Sequence, residues 1–224
     1  MSCSYDLLDV LMDCAYDGKA LSKEMNSDTI SALSENNCVD IRIWAARALA
    51  YNDFNCVTIH TLCRLAKDED AQVRVEAVDS LCGFSCPDSY AVMRSAILDS
   101  DRLVRAYAAF GVAVIGRTVE PESAQEILLC AEARDTDPRV LTGIYEGLYI
   151  LGQKSAFDKL IRLFSSNDYH IKCAVLNALI EILNDENRSM VQSFINSIDL
   201  STCTTAVTDT LKRLRVRCMD MISE

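Results

Sequence analysis

One short grammar recurs down this chain and limits what it can fold into. Residues 67–81 read KDEDAQVRVEAVDSL and residues 98–111 read LDSDRLVRAYAAFG. Both carry Asp-x-Asp, then a β-branched residue with Arg, then an apolar run at helical spacing. Aligning the chain on that pair gives Ile41-Arg42, Val73-Arg74, Val104-Arg105, Val140-Leu141 and Ile171-Lys172, with spacings of 32, 31, 36 and 31 residues. A period of this size is the signature of a repeat architecture, in which each supersecondary unit covers the apolar face of the next.

Each unit divides into two helices. In the second unit, VTIHTLCRLAKD (57–68) and AQVRVEAVDSL (71–81) both place apolar residues at helical spacing. The Asp-rich turn between them supplies the caps. An Asp side chain there accepts backbone N–H groups at the start of the following helix, and Asp70, Asp101, Asp137 and Asp168 recur at that place. Pro138 sits at a favoured first helical position. Small residues such as Ala45, Ala46, Ala77, Ala108 and Ala109 suit close helix contacts. The long spacing contains GRTVEPES (116–123), which reads as a loop insertion of five residues. Composition agrees: three Pro and seven Gly in 224 residues are too few for the many turns of a sandwich or barrel.

The pattern D-x-D-x-x-V-R-x-x-A-A-x-A-L resembles a HEAT repeat, of the short HEAT-like type also found in phycobilisome lyase-related proteins. The resemblance implies an all-α fold, an α-solenoid of about five to six helix pairs. Residues 1–18 are expected to be an N-terminal cap, residues 19–184 five repeats, and residues 185–224 a degenerate C-terminal helix pair with Ser201 capping the last helix. Unit four departs from the pattern, with Leu141 in place of Arg and with Gly143 and Gly147 inside its second helix. In HEAT families the turn Asp and the Arg of a neighbouring unit often form a ladder. On that resemblance Arg42, Arg74 and Arg105 fix stacking register; direct contact with a ligand is the other reading.

Several chemistries find no footing. The sequence has neither a P-loop nor a G-x-G-x-x-G motif. It has two histidines, His60 and His170, and neither has a nucleophile motif beside it. Cys56, His60 and Cys63 fall on one helix face with spacing that could serve zinc, although Cys63 sits where core is expected and a fourth ligand is missing. The chain is therefore expected to be no enzyme and to hold no cofactor or metal. Its net charge of −11 disfavours nucleic acid and favours basic partners. No run of about 18 uncharged apolar residues marks a membrane span, and MSCSYDLLDVLMDC lacks the features of a signal peptide. The eleven cysteines are then expected to be reduced, in the cytoplasm, with Cys63, Cys130 and Cys173 as small core residues.

Solenoids bind along a concave surface usually built from the second helix of each pair. The repeat register predicts that the two residues after the basic position, and the fifth, face that surface. They include Ile43, Trp44 and Arg47, then Val75, Glu76 and Asp79, then Ala106, Tyr107 and Phe110, then Thr142, Gly143 and Glu146, then Cys173, Ala174 and Asn177, with Tyr51 and Glu181 a turn further on. The candidate partner-binding set is Trp44, Arg47, Tyr51, Glu76, Asp79, Tyr107, Phe110, Glu146, Asn177 and Glu181. Aromatics rimmed by carboxylates suit a basic protein partner, with the chain a monomer in its absence; the other reading makes Trp44 and Phe110 extra core. KRLRVR (212–217) is either a patch for an acidic partner or a set of cations favoured near a helix C-terminus. Among similar small acidic bacterial chains one specific role is an immunity protein that neutralises a cognate basic nuclease toxin. A generic scaffold is the close alternative, and a lyase or DNA glycosylase a remoter one.

Overall fold

The computed structural model describes residues 9–13, 26–51 and 54–220, and among them all regular structure is helical. Most of the N-terminal cap expected over 1–18 lies outside the described residues; residues 9–13 are helical and Leu11 is fully buried. The chain forms two compact units, Met1–Ile127 and Leu128–Glu224.

In the first unit the helix pairs are α1 (Ser27–Leu33) with α2 (Val39–Leu49), α3 (Cys56–Leu65) with α4 (Ala71–Leu81), and α5 (Pro87–Ala96) with α6 (Arg102–Val119). First helices stack on first helices, α1 on α3 and α3 on α5. Second helices, the B helices, stack as α2 on α4 and α4 on α6. The core lies between the two layers. Leu49, Leu62, Val73, Leu81, Met93, Val104 and Val112 are fully buried, and the five alanines at the helix seams are too. Helix α7 (Pro121–Glu132) follows in the chain. The second unit holds α8 (Pro138–Ile150), α9 (Ala156–Arg162), α10 (Tyr169–Ile182), α11 (Arg188–Ser197) and α12 (Thr205–Asp220), with short 3-10 turns at Leu163–Ser165 and Leu200–Thr202. Here α10 packs on both α8 and α12. Helix α8 runs unbroken through Gly143 and Gly147.

The Asp-x-Asp turn does two jobs. Its second Asp caps the B helix: Asp70 Oδ1 accepts from the N–H groups of Gln72 and Val73, at 2.8 and 3.3 Å, and Asp101 does the same for Leu103 and Val104, at 2.8 and 3.2 Å. Asp137 and Asp168 cap α8 and α10. Its first Asp closes the turn and receives the Arg of the preceding unit. Asp68 Oδ1 accepts from Asp70 N–H at 2.9 Å, while Arg42 reaches both carboxylate oxygens of Asp68 at 2.8 Å. Arg74 reaches both oxygens of Asp99 at 2.9 Å. Each Arg also donates to backbone carbonyls of its own turn, as Arg74 does to Asp68 and Glu69, and Arg105 to Asp99 and Ser100. The side chains of the Arg42–Asp68 pair are only 10% and 12% exposed. Burial pushes the carboxyl pKa of Asp68 and Asp99 up. The hydrogen bonds from Arg42 or Arg74, the turn N–H and the arginine charge outweigh it and hold both below the usual carboxylate range.

Three expectations need correction. GRTVEPES is not a loop insertion. Helix α6 continues to Val119 and α7 starts at Pro121, so the extra residues lengthen a helix. Gly116 permits this, because a Cβ there would stand 2.5 Å from Ala124 Cβ and 2.9 Å from Tyr90 Cε2. Ser201 does not cap α12; it lies inside the 3-10 turn, where Asp199 accepts its N–H, and Thr204 Oγ1 accepts from Val207 N–H instead. The cysteines also differ. Cys38, at the turn before α2, is disulfide-bonded, so the chain is not wholly reduced. Cys130 is exposed and Cys63 and Cys173 are half-buried, because they stand at the flanks of their helices rather than on the packed face; among the described residues Cys218 is the buried cysteine.

Candidate protein-binding face

The packing of α2 on α4 brings four of the expected site residues together. Arg47 on α2 grips Glu76 on α4 with both prongs, Nε to Oε2 at 2.6 Å and Nη2 to Oε1 at 2.7 Å. Its guanidinium also lies over the Trp44 ring, 4.7 Å from the centroid. Gln72, one turn before Glu76, donates to Glu76 Oε1 at 2.8 Å. The Glu76 side chain is 9% exposed and fully committed, while Arg47 keeps 38% of its side chain open. Gln72 was not in the expected set, although its i,i+4 spacing to Glu76 was readable.

Asp79 stands three residues beyond Glu76 on the same helix. Among the described residues its carboxylate makes no hydrogen bond or ion pair. Burial first, and then the Glu76 charge, push its pKa up to about 6, with Arg47 opposing. The residue as a whole is still exposed, and solvent screens both effects, pulling it back toward the ordinary range. Tyr107 and Phe110 lie half-buried on α6, the helix that packs on α4. Tyr51, just past the end of α2, is 59% exposed.

The second unit carries the other three, on α8 and α10. Glu146 is buried, at 8% exposure, whereas Glu181 is exposed. Burial, and next the Glu181 charge, push the Glu146 carboxyl up to about 8, with Arg139 opposing. Asn177 is exposed, and its Oδ1 accepts from Arg213 of α12, so KRLRVR partly serves this unit's own packing. Lys212 pairs with Asp209 at 2.9 Å on the same helix. A 36-residue separation gave Arg213–Asn177 no signal in sequence.

The expected surface is thus narrower than the register suggests. Val75, Glu76, Ala106, Thr142, Glu146 and Ala174 are all buried, and so is Gly143. Alanines at the seams let adjacent B helices approach, and each helix then covers the nearer edge of the next one's outward row. Trp44, Tyr107 and Phe110 end half-covered for the same reason.

Other places offer less. Cys56 and His60 are exposed and Cys63 half-buried, and no group of three metal-ligating side chains assembles among the described residues. Burial, with Asp88 and Cys86 nearby, pushes the Cys63 thiol up to about 11, which keeps it protonated. A shallow groove of about 430 Å³ between α9 and α11 is lined by Phe157, Ile161, Met190 and Phe194. Its Ser193 and Ser197 hydroxyls bond their own helix backbone, so Asp158 is its only charged group.

A family model of HEAT repeats matches residues 26–113. Among solved structures, the chain is similar to the complex of CpcE and CpcF of phycocyanin lyase from Nostoc sp. PCC7120, at 13% identity and a TM-score of 0.49, over 89% of this chain and 97% of that one. It is also similar to an engineered protein, at 17% identity and a TM-score of 0.41, over 86% of this chain and 98% of that one. No curated protein matches the sequence significantly. The chain is an α-solenoid of helix pairs, and its residues 26–113 are matched as HEAT repeats.

Proposed function

We propose that this chain is a non-enzymatic binding module that takes a basic protein partner on its B-helix face. In its most specific form it is an immunity protein that neutralises a cognate basic toxin of the nuclease type. The observation that carries the reading is Asp79, an exposed carboxylate without a partner among the described residues, beside Trp44 and the Arg47–Glu76 pair. Arg47 is spent on Glu76, so the cluster carries one negative charge more than it neutralises internally. A lysine or arginine of a partner supplies what is missing, and the open part of Trp44 gives it an aromatic wall. The net charge of −11 acts at longer range and speeds encounter with a positive partner. Nucleic acid itself fits poorly, since the same cluster repels phosphate.

The immunity form has a direct test. Any nuclease-toxin domain found encoded next to this chain's gene is mixed with the chain, and DNA cleavage and stopped-flow association are followed. Cleavage is expected to stop at equimolar chain, and the association rate is expected to fall steeply as salt rises. Unimpaired cleavage in excess chain discards the immunity role. A rate indifferent to salt discards the basic partner as well.

A further inference from the structure

In the first unit each first helix stacks on the next, α1 on α3 and α3 on α5, whereas α9 and α11 of the second unit do not close on one another in this way. A groove of about 430 Å³ stands between them. Phe157 and Ile161 of α9 and Met190 and Phe194 of α11 give it an apolar lining, and Ser189, Ser193 and Ser197, one turn apart along α11, are too small to fill it. The hydroxyls of Ser193 and Ser197 donate to carbonyls of their own helix, at 2.9 and 2.7 Å. The groove therefore offers apolar contact and one charge, the exposed carboxylate of Asp158, which makes no hydrogen bond or ion pair among the described residues. Nearby lysines are held, Lys154 by Glu186 and Lys159 by Glu132, each at 2.6 Å. Arg162, one turn after Asp158, is exposed, makes no ion pair with it and does not line the groove.

The matching feature lies on α12 of the same unit. Its inner face, with Val207, Leu211, Leu214 and Cys218, is buried. Its outer face leaves Val216 and Met219, one turn apart, 56% and 62% exposed. The helix carries four cations against two carboxylates, Asp209 and Asp220. Lys212 is paired with Asp209, and Arg213 bonds Asn177. Arg215 stands one turn before Met219, and neither it nor Arg217 has a hydrogen bond or ion pair among the described residues. The outer face of α12 thus joins apolar surface to unspent positive charge, in a chain whose net charge is −11.

We propose that α12 of one copy of this chain seats Val216 and Met219 in the α9–α11 groove of a second copy, with Arg215 against Asp158. Charge selects this occupant. The groove calls for an apolar side chain beside a cation, and α12 supplies both at the spacing of one helical turn. Helix α11 walls the groove and also packs on α12, so groove and insert lie side by side and the contact can be made twice about one two-fold axis. The free chain is then a closed dimer rather than the monomer expected from its sequence. Neither Asp79 nor Trp44 takes part, so this dimer and the capture of a basic partner stand or fall separately.

Sedimentation equilibrium tests the dimer on the full chain, with exposed thiols blocked by N-ethylmaleimide so that Cys56 and Cys130 cannot cross-link copies. The wild type is expected to show monomer and dimer in concentration-dependent exchange. Met219→Ser and Asp158→Arg, both at exposed positions, should each weaken the dimer by about tenfold, with helicity by circular dichroism unchanged. Asp158→Arg combined with Arg215→Glu is expected to recover most of the lost affinity, which a merely structural role for either residue would not produce. A wild type that stays monomeric overturns the proposal; oligolysine binding to that monomer, lost in Asp158→Asn, would give the groove to a basic partner instead. Dimers that survive Met219→Ser and Asp158→Arg unchanged overturn it too, as does growth past the dimer into open-ended oligomers. A charge-swapped chain no tighter than Asp158→Arg alone overturns the Arg215–Asp158 contact.

Discussion

Arg74 and Asp99 form a bidentate pair across 25 residues of sequence, with Nε and Nη2 each 2.9 Å from a carboxylate oxygen. The side chains are 13% and 15% exposed, so the pair is far drier than a surface salt bridge. Removing either partner strands a charge that has lost most of its water. Asp99→Asn and Arg74→Met are each expected to cost about 2–3 kcal/mol. A double-mutant cycle in urea should return a coupling of roughly 1–2 kcal/mol. Independent losses that simply add would reduce the pair to a surface contact.

The same pairs set the acid limb of stability. Asp68 and Asp99 titrate below the usual carboxylate range in the folded chain. Their contribution is complete above the ordinary unfolded value, about 3.9, and is lost as pH falls through the lower folded values. Urea midpoints measured from pH 6 to pH 2 should fall steeply at the acid end. Asp99→Asn should start lower and fall less.

Glu146 works in the opposite sense. Its folded pKa of about 8 lies above the ordinary value, so the folded chain binds the extra proton. Stability drains away as pH rises from the unfolded value through about 8, at ~1.4 kcal/mol per unit. Glu146→Gln is expected to remove that slope and to melt several degrees above wild type at pH 9. Parallel melting curves at pH 5 and pH 9 for both proteins would refute it.

Trp44→Ala separates binding from packing. Trp44 is half-buried and stacked on Arg47. Its loss should lower stability by about 1–2 kcal/mol while basic-peptide affinity falls by more than tenfold. A stability loss of about 3–5 kcal/mol with affinity intact would make it core.

Gly116→Ala sets two effects against each other. Alanine gains about 1 kcal/mol of helix propensity. Its Cβ would stand 2.5 Å from Ala124 Cβ, and neither backbone can yield cheaply. Overpacking of this kind costs about 1–3 kcal/mol, so net destabilisation is expected from thermal melts.

The legible parts of this fold are those in which cause and effect sit close together. Asp70 and Asp101 cap their helices through N–H groups two and three residues away, so a short pattern suffices. The Arg ladder repeats with the period, and recurrence makes a long-range pairing readable. The conformation of residues 116–119 was not readable. An added length says nothing about whether a helix lengthens or a loop forms, and Gly and Pro together resemble a break. The burial of Glu76 and Glu146 was hidden for a different reason. Helical register gives the direction a side chain leaves its own axis, while the separation of adjacent B helices depends on what the seam alanines allow.

The ladder also has a polarity. Arg42 reaches forward to Asp68 and Arg74 reaches forward to Asp99, so these two modules each hand a cation onward to the next. Modules joined by such a rule are interchangeable head to tail: a segment cut in phase from the part of the chain that keeps the rule still ends in a donor and begins with an acceptor. Duplication or loss of a whole module leaves the joint intact, whereas a change out of phase breaks it at once. The chain carries in two residues per turn the grammar by which such an array can grow or shrink.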